Sequence, residues 1–423
     1  MRQVLIRGAD LLGRGRGDLL IQDEVFADSL EAHHDVELID ADGLVALPGL
    51  VDLHAHLRQP GREDTETVAS GTQAAARGGF TVVLAMANTD PVTDTAEAAE
   101  HVAELGRREG LAQVVPVGAV SKGLDGTELA ELGLMARSAA AVRVFSDDGR
   151  CVVDARLMRR AMEYVRAFDG VIAQHAQDPR LAGPDACCHE GAISGRLGLP
   201  GWPAAAESTI VARDVQIASL TRSRLHVCHV STAETVDVLR WAKARGISVT
   251  AEVTPHHLLL TTDELLSYDP LYKVNPPLRP AEDVTELRLA LADGTIDAVA
   301  TDHAPHARHD KEHAFAEAAF GMLGLETALA VVIETMINSG ALSWATLAMR
   351  MSMAPAQIAR LAGQGRHLAI GEPANVVLVD PAARAVVDAN ASASLSRNNP
   401  WHERELPDPV VSTFWRGRLT FRR

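Results

Sequence analysis

The sequence predicts an α/β fold, a (β/α)8 barrel of the TIM type with a small β-sandwich domain formed by both chain termini. Three observations carry that prediction. Short apolar runs alternate with longer stretches of helical periodicity through the middle of the chain. Strand-like texture without helices occupies both ends. The 423 residues, 47% of them hydrophobic, suffice for one large barrel.

Residues 1–48 read as short strands broken by Gly or Asp: VLIRGADLL, DLLIQDEVFA and VELIDADGLVALPG. The run Gly13-Arg14-Gly15-Arg16-Gly17 lacks the following helix and the Lys-Ser/Thr of a phosphate loop, so it reads as a hairpin turn. Residues 49–365 carry the alternation. FTVVLAM, AQVVPVGAV, AAVRVF, GVIAQH, RLHVCHV, ISVTAEV and IDAVATDH are near-continuous apolar strands, as expected for a parallel sheet buried on both faces. DTAEAAEHVAELGRREG, VDARLMRRAMEYVRAF, AAAESTIVARDVQIASLTR and AETVDVLRWAKARG repeat apolar residues at helical spacing. Eight strand positions follow, at His54/His56, MANT, PVGAV, FSDD, AQHA, HVCHV, EVTPHH and ATDH. Over residues 366–423 strand texture returns in NVVLVD, ARAVVD and VVSTFWRGRLTF, so the termini are expected to pair beside the barrel.

The formal net charge of -16 argues against a nucleic-acid partner, which needs a basic stripe. Cys151, Cys187, Cys188 and Cys228 form no CxxC pair and fit a reducing cytoplasm. The N-terminal residues lack the apolar core of a signal peptide, and no run approaches 18 apolar residues, so no membrane span is expected.

His54 and His56 lie two apart in VDLHAHLR, which places both imidazoles on one face of a strand. A lone HxH pair is a weak signal. Recurrence makes it a strong one: Asp148, His175, His229 and Asp302 each end a further apolar run. The C-terminal ends of barrel strands hold the active site. Imidazole and carboxylate without thiolate suit Zn2+, with Mn2+ or Co2+ as substitutes. Four His and two Asp are too many for one tetrahedral ion and suit two ions sharing a bridge. A water held between such ions loses its proton near neutral pH and becomes a nucleophile. His256 and His257 read as packing or supporting residues, His226 as structural, and Cys151 as a small buried thiol. His33, His34, His101, His309 and His313 lie in polar surroundings and read as surface residues.

GLVDLHAHLRQPG, MANT, FSDDG, HVCHVST, AEVTPHH, KVNPPLR and ATDHAPH resemble, in order, the signature segments of class I dihydroorotases of the amidohydrolase superfamily, across essentially the whole chain. The resemblance implies two zinc ions, one held by His54, His56, Asp148 and Asp302, the other by Asp148, His175 and His229. Asp148 then bridges. Many relatives bridge with a carboxylated lysine, but VRVFSDDG has none, and Lys122 is the only lysine near another strand end. Asp147 is the rival within the Asp-Asp pair.

The implied activity is the reversible cyclisation of N-carbamoyl-L-aspartate to dihydroorotate in pyrimidine synthesis, with Asp302 as general base and acid. His56, Arg58, Asn88, Asn275, His306, Phe320 and Gly321 are the implied substrate-binding positions, Arg58 taking the substrate carboxylate. The sequence departs from the family at Ala87, where proline ordinarily precedes Asn-Thr. A homo-oligomer and association with aspartate transcarbamoylase are compatible with the resemblance. The loop from Arg308 to Phe320 is expected to close over substrate. Two rival readings are another cyclic amidohydrolase (dihydropyrimidinase, hydantoinase or allantoinase) and a non-catalytic scaffold subunit. Arg58 and the aspartate bridge argue against the first, the complete ligand set against the second.

Overall fold

A computed structural model describes residues 3–29 and 36–423 as a mixed α/β fold. His33 and His34 lie outside the described residues. Eight parallel strands follow in chain order: Leu50–Ala55, Phe80–Ala85, Gln113–Pro116, Val144–Phe145, Val171–Gln174, Arg224–Val227, Val249–Val253 and Ala298–Val299. The first three form one parallel sheet and the other five a second. Parallel bridges Gly118↔Phe145 and Ala55↔His303 join the third strand to the fourth and the eighth back to the first. Nearly every residue of these strands is buried, as their apolar composition requires. MANT follows the second strand rather than forming it, because that strand's pairing stops at Ala85.

Four of the connecting helices start at a side-chain cap. Thr67, Thr95, Asp154 and Thr232 each accept a hydrogen bond from a backbone N–H in the first turn of the helix that follows. Helix Ala155–Val165 buries Leu157, Met158, Ala161, Met162 and Val165, one stripe at helical spacing, and leaves its arginines toward solvent. No described helix is long and apolar enough to cross a membrane.

The two ends of the chain meet in a single eight-stranded sheet, where Val45–Pro48 pairs antiparallel with Val376–Val379. Alternation along Val376–Val379 serves two cores. Val376 and Leu378 pack with Val4, Ile6, Ile21 and Phe414, whereas Val377 and Val379 join the core of Leu50 and Phe80. The Gly13–Gly17 run is the expected hairpin, with Gly13 and Gly15 at φ 71° and 129°.

One C-terminal segment departs from expectation. Arg384–Val386, within ARAVVD, stays out of the terminal sheet and pairs antiparallel with Glu405–Pro407. Leu406 and Trp401 pack on Val331 instead, so this excursion lies against the parallel-strand region. β-texture predicts a strand here but does not select its partner.

Candidate metal centre and active site

The six ligand-type side chains read from the sequence leave the C-terminal ends of five parallel strands and converge. His54 lies within the first strand, with His56 just past its end. His175 follows Gln174 directly. Asp148, His229 and Asp302 lie two or three residues past their strands, and His229 and Asp302 adopt left-handed backbone, φ 33° and 46°. Non-glycine residues are held so only where surrounding structure over-determines them.

Asp148 is the hub. Its Oδ2 lies 3.2 Å from His54 Nε2 and 3.4 Å from His56 Nε2. Its Oδ1 lies 3.2 Å from His229 Nε2 and 3.4 Å from His175 Nδ1. Asp302 Oδ1 is 3.2 Å from His56 Nε2 and 3.6 Å from His54 Nε2. Two groups that could hold a metal ion therefore share Asp148, namely His54–His56–Asp148 and Asp148–His175–His229. A third, His54–Cys228–Glu252, is also close enough. In that group, however, the two Glu252 oxygens already face His54 Nδ1 at 2.8 Å and His226 Nε2 at 3.0 Å.

The donor set fits a cation. His54 Nε2 is buried without a hydrogen-bond partner of good geometry, although two carboxylates face it. Burial works against charge on His54, yet Asp148 and Asp302 pull its pKa well above the usual histidine value. Burial likewise works against the Asp148 carboxylate, yet His54, His175 and His229 hold it well below the usual range. Asp302 is depressed against its own burial by His54 and His56. Two buried carboxylates among imidazoles call for positive charge between them.

Asp147 points elsewhere. It accepts hydrogen bonds from the backbone of Val120 and Ser121 at 2.8 and 2.9 Å and from the Ser121 hydroxyl. Lys122 is exposed and pairs with Glu128 at 3.2 Å, away from the cluster. His256 is buried against His257, with ring centroids 4.7 Å apart, and His257 is fixed by Thr254 Oγ1 at 2.7 Å. His226 holds Glu252, and Cys151 is partly buried. His101, His309 and His313 are exposed.

The positions read as substrate-binding surround this cluster. Asn88 Oδ1 lies 2.9 Å from His56 Nδ1. Asn275 Nδ2 lies 3.3 Å from His175 Nε2. Arg58, at φ 61°, donates from Nε to Pro305 O at 3.1 Å, and its Nη2 is 3.4 Å from His306 Nε2. Burial, reinforced by Arg58 and Lys311, lowers the His306 pKa to about 3, so the ring is neutral. Its Nε2 is 2.6 Å from Phe320 O, which accepts. Gly321 sits at φ 141°, and a Cβ there would come within 2.8 Å of His306 Nε2, so only glycine fits. The Asn88 loop, which has Ala87 where proline was expected, is braced by Thr89, whose Oγ1 bonds Pro91 O at 2.8 Å and meets Thr93 Oγ1 at 2.9 Å.

Sequence reasoning missed three supporting residues. Glu252 had a signal, the lone charged residue of a buried strand. Gln177 bonds Asn275 at 2.9 Å and faces His175, but its run has no strand pattern. Asn398 donates to Ala304 O at 2.8 Å and to Gly321 O at 3.2 Å, and accepts from His306 N at 3.2 Å. It comes from the distant C-terminal excursion, which no local pattern connects to the site.

Residues 43–235 match the model of the family described as dihydro-orotase-like. The chain is 58% identical to a dihydroorotase of Streptomyces coelicolor, over 99% of this chain and 98% of the relative. It is 54% identical to a dihydroorotase of Mycobacterium tuberculosis, over 99% and 98%. Among solved structures, an L-hydantoinase (dihydropyrimidinase) from Arthrobacter aurescens aligns at TM-score 0.86 and 25% identity, over 99% of this chain and 96% of that one. A dihydropyrimidinase from Brevibacillus agri aligns at TM-score 0.85 and 22% identity, over 99% and 95%, a likeness of fold.

Proposed function

Because this chain belongs to the dihydroorotase family, we propose that it interconverts N-carbamoyl-L-aspartate and (S)-dihydroorotate plus water, a step of de novo pyrimidine (UMP) synthesis, as a class I enzyme of the cytoplasm. One observation carries the reading: six His and Asp side chains converge on Asp148 with Arg58 and His306 beside them. The strand order supports a (β/α)8 barrel over residues 49–365. The sheet shared by both termini supports a β-sandwich domain from residues 1–48 and 366–423.

Two zinc ions fit the donor set, with His54, His56, Asp148 and Asp302 holding one, His175 and His229 the other, and Asp148 common to both. When bound, such ions polarise the ring amide carbonyl and acidify water. Asp302 takes the proton of the attacking water and passes it to the ring nitrogen as the C–N bond breaks. His54 and His56 hold its pKa down against burial, so the carboxylate is ionised. In cyclisation Asp302 removes the carbamoyl N–H proton as the C–N bond forms and returns it to the carboxyl oxygen that departs as water. Arg58 binds the substrate carboxylate. Asn88, Asn275, His56 and neutral His306 supply further polar contacts, and the backbone at Phe320 and Gly321 lines the ring.

Neutral cyclic amides are the competing substrates. The half-buried guanidinium of Arg58, bonded to a carbonyl and a histidine rather than to a carboxylate, favours an anionic one, since a partly desolvated cation without a counter-charge is costly. Turnover of dihydroorotate, dihydrouracil, hydantoin and allantoin compared side by side tests the proposal. Dihydroorotate is expected to be preferred by orders of magnitude, and preference for a neutral ring overturns it.

A further inference from the structure

Glu252, in the seventh parallel strand, takes no part in the reaction as described, yet it is wholly buried against it. Its Oε1 lies 2.8 Å from His54 Nδ1, and its Oε2 lies 3.0 Å from His226 Nε2. His226 Nδ1 in turn meets Thr250 Oγ1 at 2.9 Å. His54 and Glu252 are 0% exposed and His226 2%, so water does not supply these partners. The chain of contacts crosses from the sixth and seventh strands to the first.

The chemistry of the acceptor decides where the hydrogens lie. A carboxylate only accepts, so both facing ring nitrogens carry hydrogen, His54 at Nδ1 and His226 at Nε2. His226 Nδ1 is then left to accept from the Thr250 hydroxyl. His54 Nε2 keeps its lone pair for the centre, where Asp148 and Asp302 face it at 3.2 and 3.6 Å. A bare lone pair opposite two carboxylates is repulsive, so the position calls for a cation, a proton in the metal-free protein and a metal ion once one binds. Reversing the tautomer would set a lone pair against the Glu252 oxygen.

We propose that Glu252, clamped by His226, is a positioning residue that fixes the tautomer and direction of His54, and so sets the affinity of one metal ion of the pair. This rests on the two-ion reading above. Partners of this kind shift metal affinity by about 10–100-fold when removed. His54 belongs to only one of the two groups built on Asp148, so the effect is confined to one ion. A general loss of structure would weaken both.

The test is zinc binding to the full-length, metal-stripped protein, titrated against a competing chelator. Wild type, Glu252→Gln and His226→Asn are compared, with thermal unfolding of each metal-free protein alongside. Glu252→Gln keeps the shape and removes the charge. One ion is expected to weaken about 10–100-fold and the other to stay within about threefold. Two ions bound as in wild type, or both weakened alike, overturn the proposal. Where Glu252→Gln fails to fold, His226→Asn decides, since it leaves Glu252 in place but unclamped. A selective loss of about 3–10-fold at one ion supports the role, and an unchanged or uniform profile ends it. Wild type that takes up fewer than two zinc ions sinks the two-ion reading instead. In that case, zinc affinity at the occupied site unchanged by Glu252→Gln also sinks this one.

Discussion

Asp147 and Asp148 are neighbours in the chain, yet their carboxylates serve different partners. Asp147 accepts from the backbone of Val120 and Ser121 at 2.8 and 2.9 Å. Asp148 is ringed by His54, His56, His175 and His229 at 3.2 to 3.4 Å. One ties together the loops after two strands, and the other gathers the imidazoles.

The pair should separate cleanly by mutation. Asp148→Asn is expected to lose bound zinc, because it removes the group shared by both candidate sites. Asp147→Asn should keep zinc and lose about 1–3 kcal/mol of stability, the scale of a disturbed buried hydrogen-bond network. Elemental analysis beside urea unfolding checks both. Zinc loss in the Asp147 variant alone would reverse the assignment.

Asp302→Asn should leave the fold intact and keep zinc, since His54, His56 and Asp148 remain and the amide oxygen can take the ligand position, but lower turnover about 10²–10⁴-fold, since the amide cannot accept the proton. Steady-state rates on metal-replete protein measure this. Near-normal turnover removes Asp302 from proton transfer.

Arg58→Met should raise KM about 10–100-fold, corresponding to a lost charged hydrogen bond of roughly 1.5–3 kcal/mol, with zinc unchanged. The alternative outcome is informative. Arg58 also bonds Pro305 O, three residues after Asp302, so loss of zinc would make its role structural.

Lys311 predicts a pH dependence of stability. Its buried Nζ donates to the carbonyls of Lys273, Ala319 and Gly321 at 3.2, 2.9 and 3.1 Å. Burial, with Lys273 adding repulsion, lowers its pKa from 10.5 to about 7. Between those values the unfolded chain binds more protons than the folded one, so stability rises with pH. The contribution is fully present above 10.5 and is lost as pH falls to about 7. Wild type should therefore gain on Lys311→Met between pH 7 and 9 in thermal unfolding. Parallel curves would show that Lys311 does not titrate there.

Much of this protein is legible from its residues alone. Apolar runs alternating with helical periodicity identify the parallel strands, because strands covered on both faces must be apolar throughout. His54, His56, Asp148, His175, His229 and Asp302 stand out because each is a polar, metal-competent residue where such a run ends. The helix starts at Thr67, Thr95, Asp154 and Thr232 rest on a local interaction too, a side chain capping its own helix, which the structure reveals.

Tertiary structure decided what depends on distant partners. ARAVVD has strand texture, but only the fold pairs it with Glu405–Pro407 and leaves it out of the terminal sheet. The run leading to Asp148 cannot say which of two adjacent carboxylates meets four imidazoles from three other strands. Glu252, Gln177 and Asn398 acquire roles only through contacts made by packing. Periodicity and capping are interactions between near neighbours, and the sequence writes them directly. The choice of hydrogen-bond partner across strands is made by the packed fold, where each buried polar group must find its complement among residues far away in the chain.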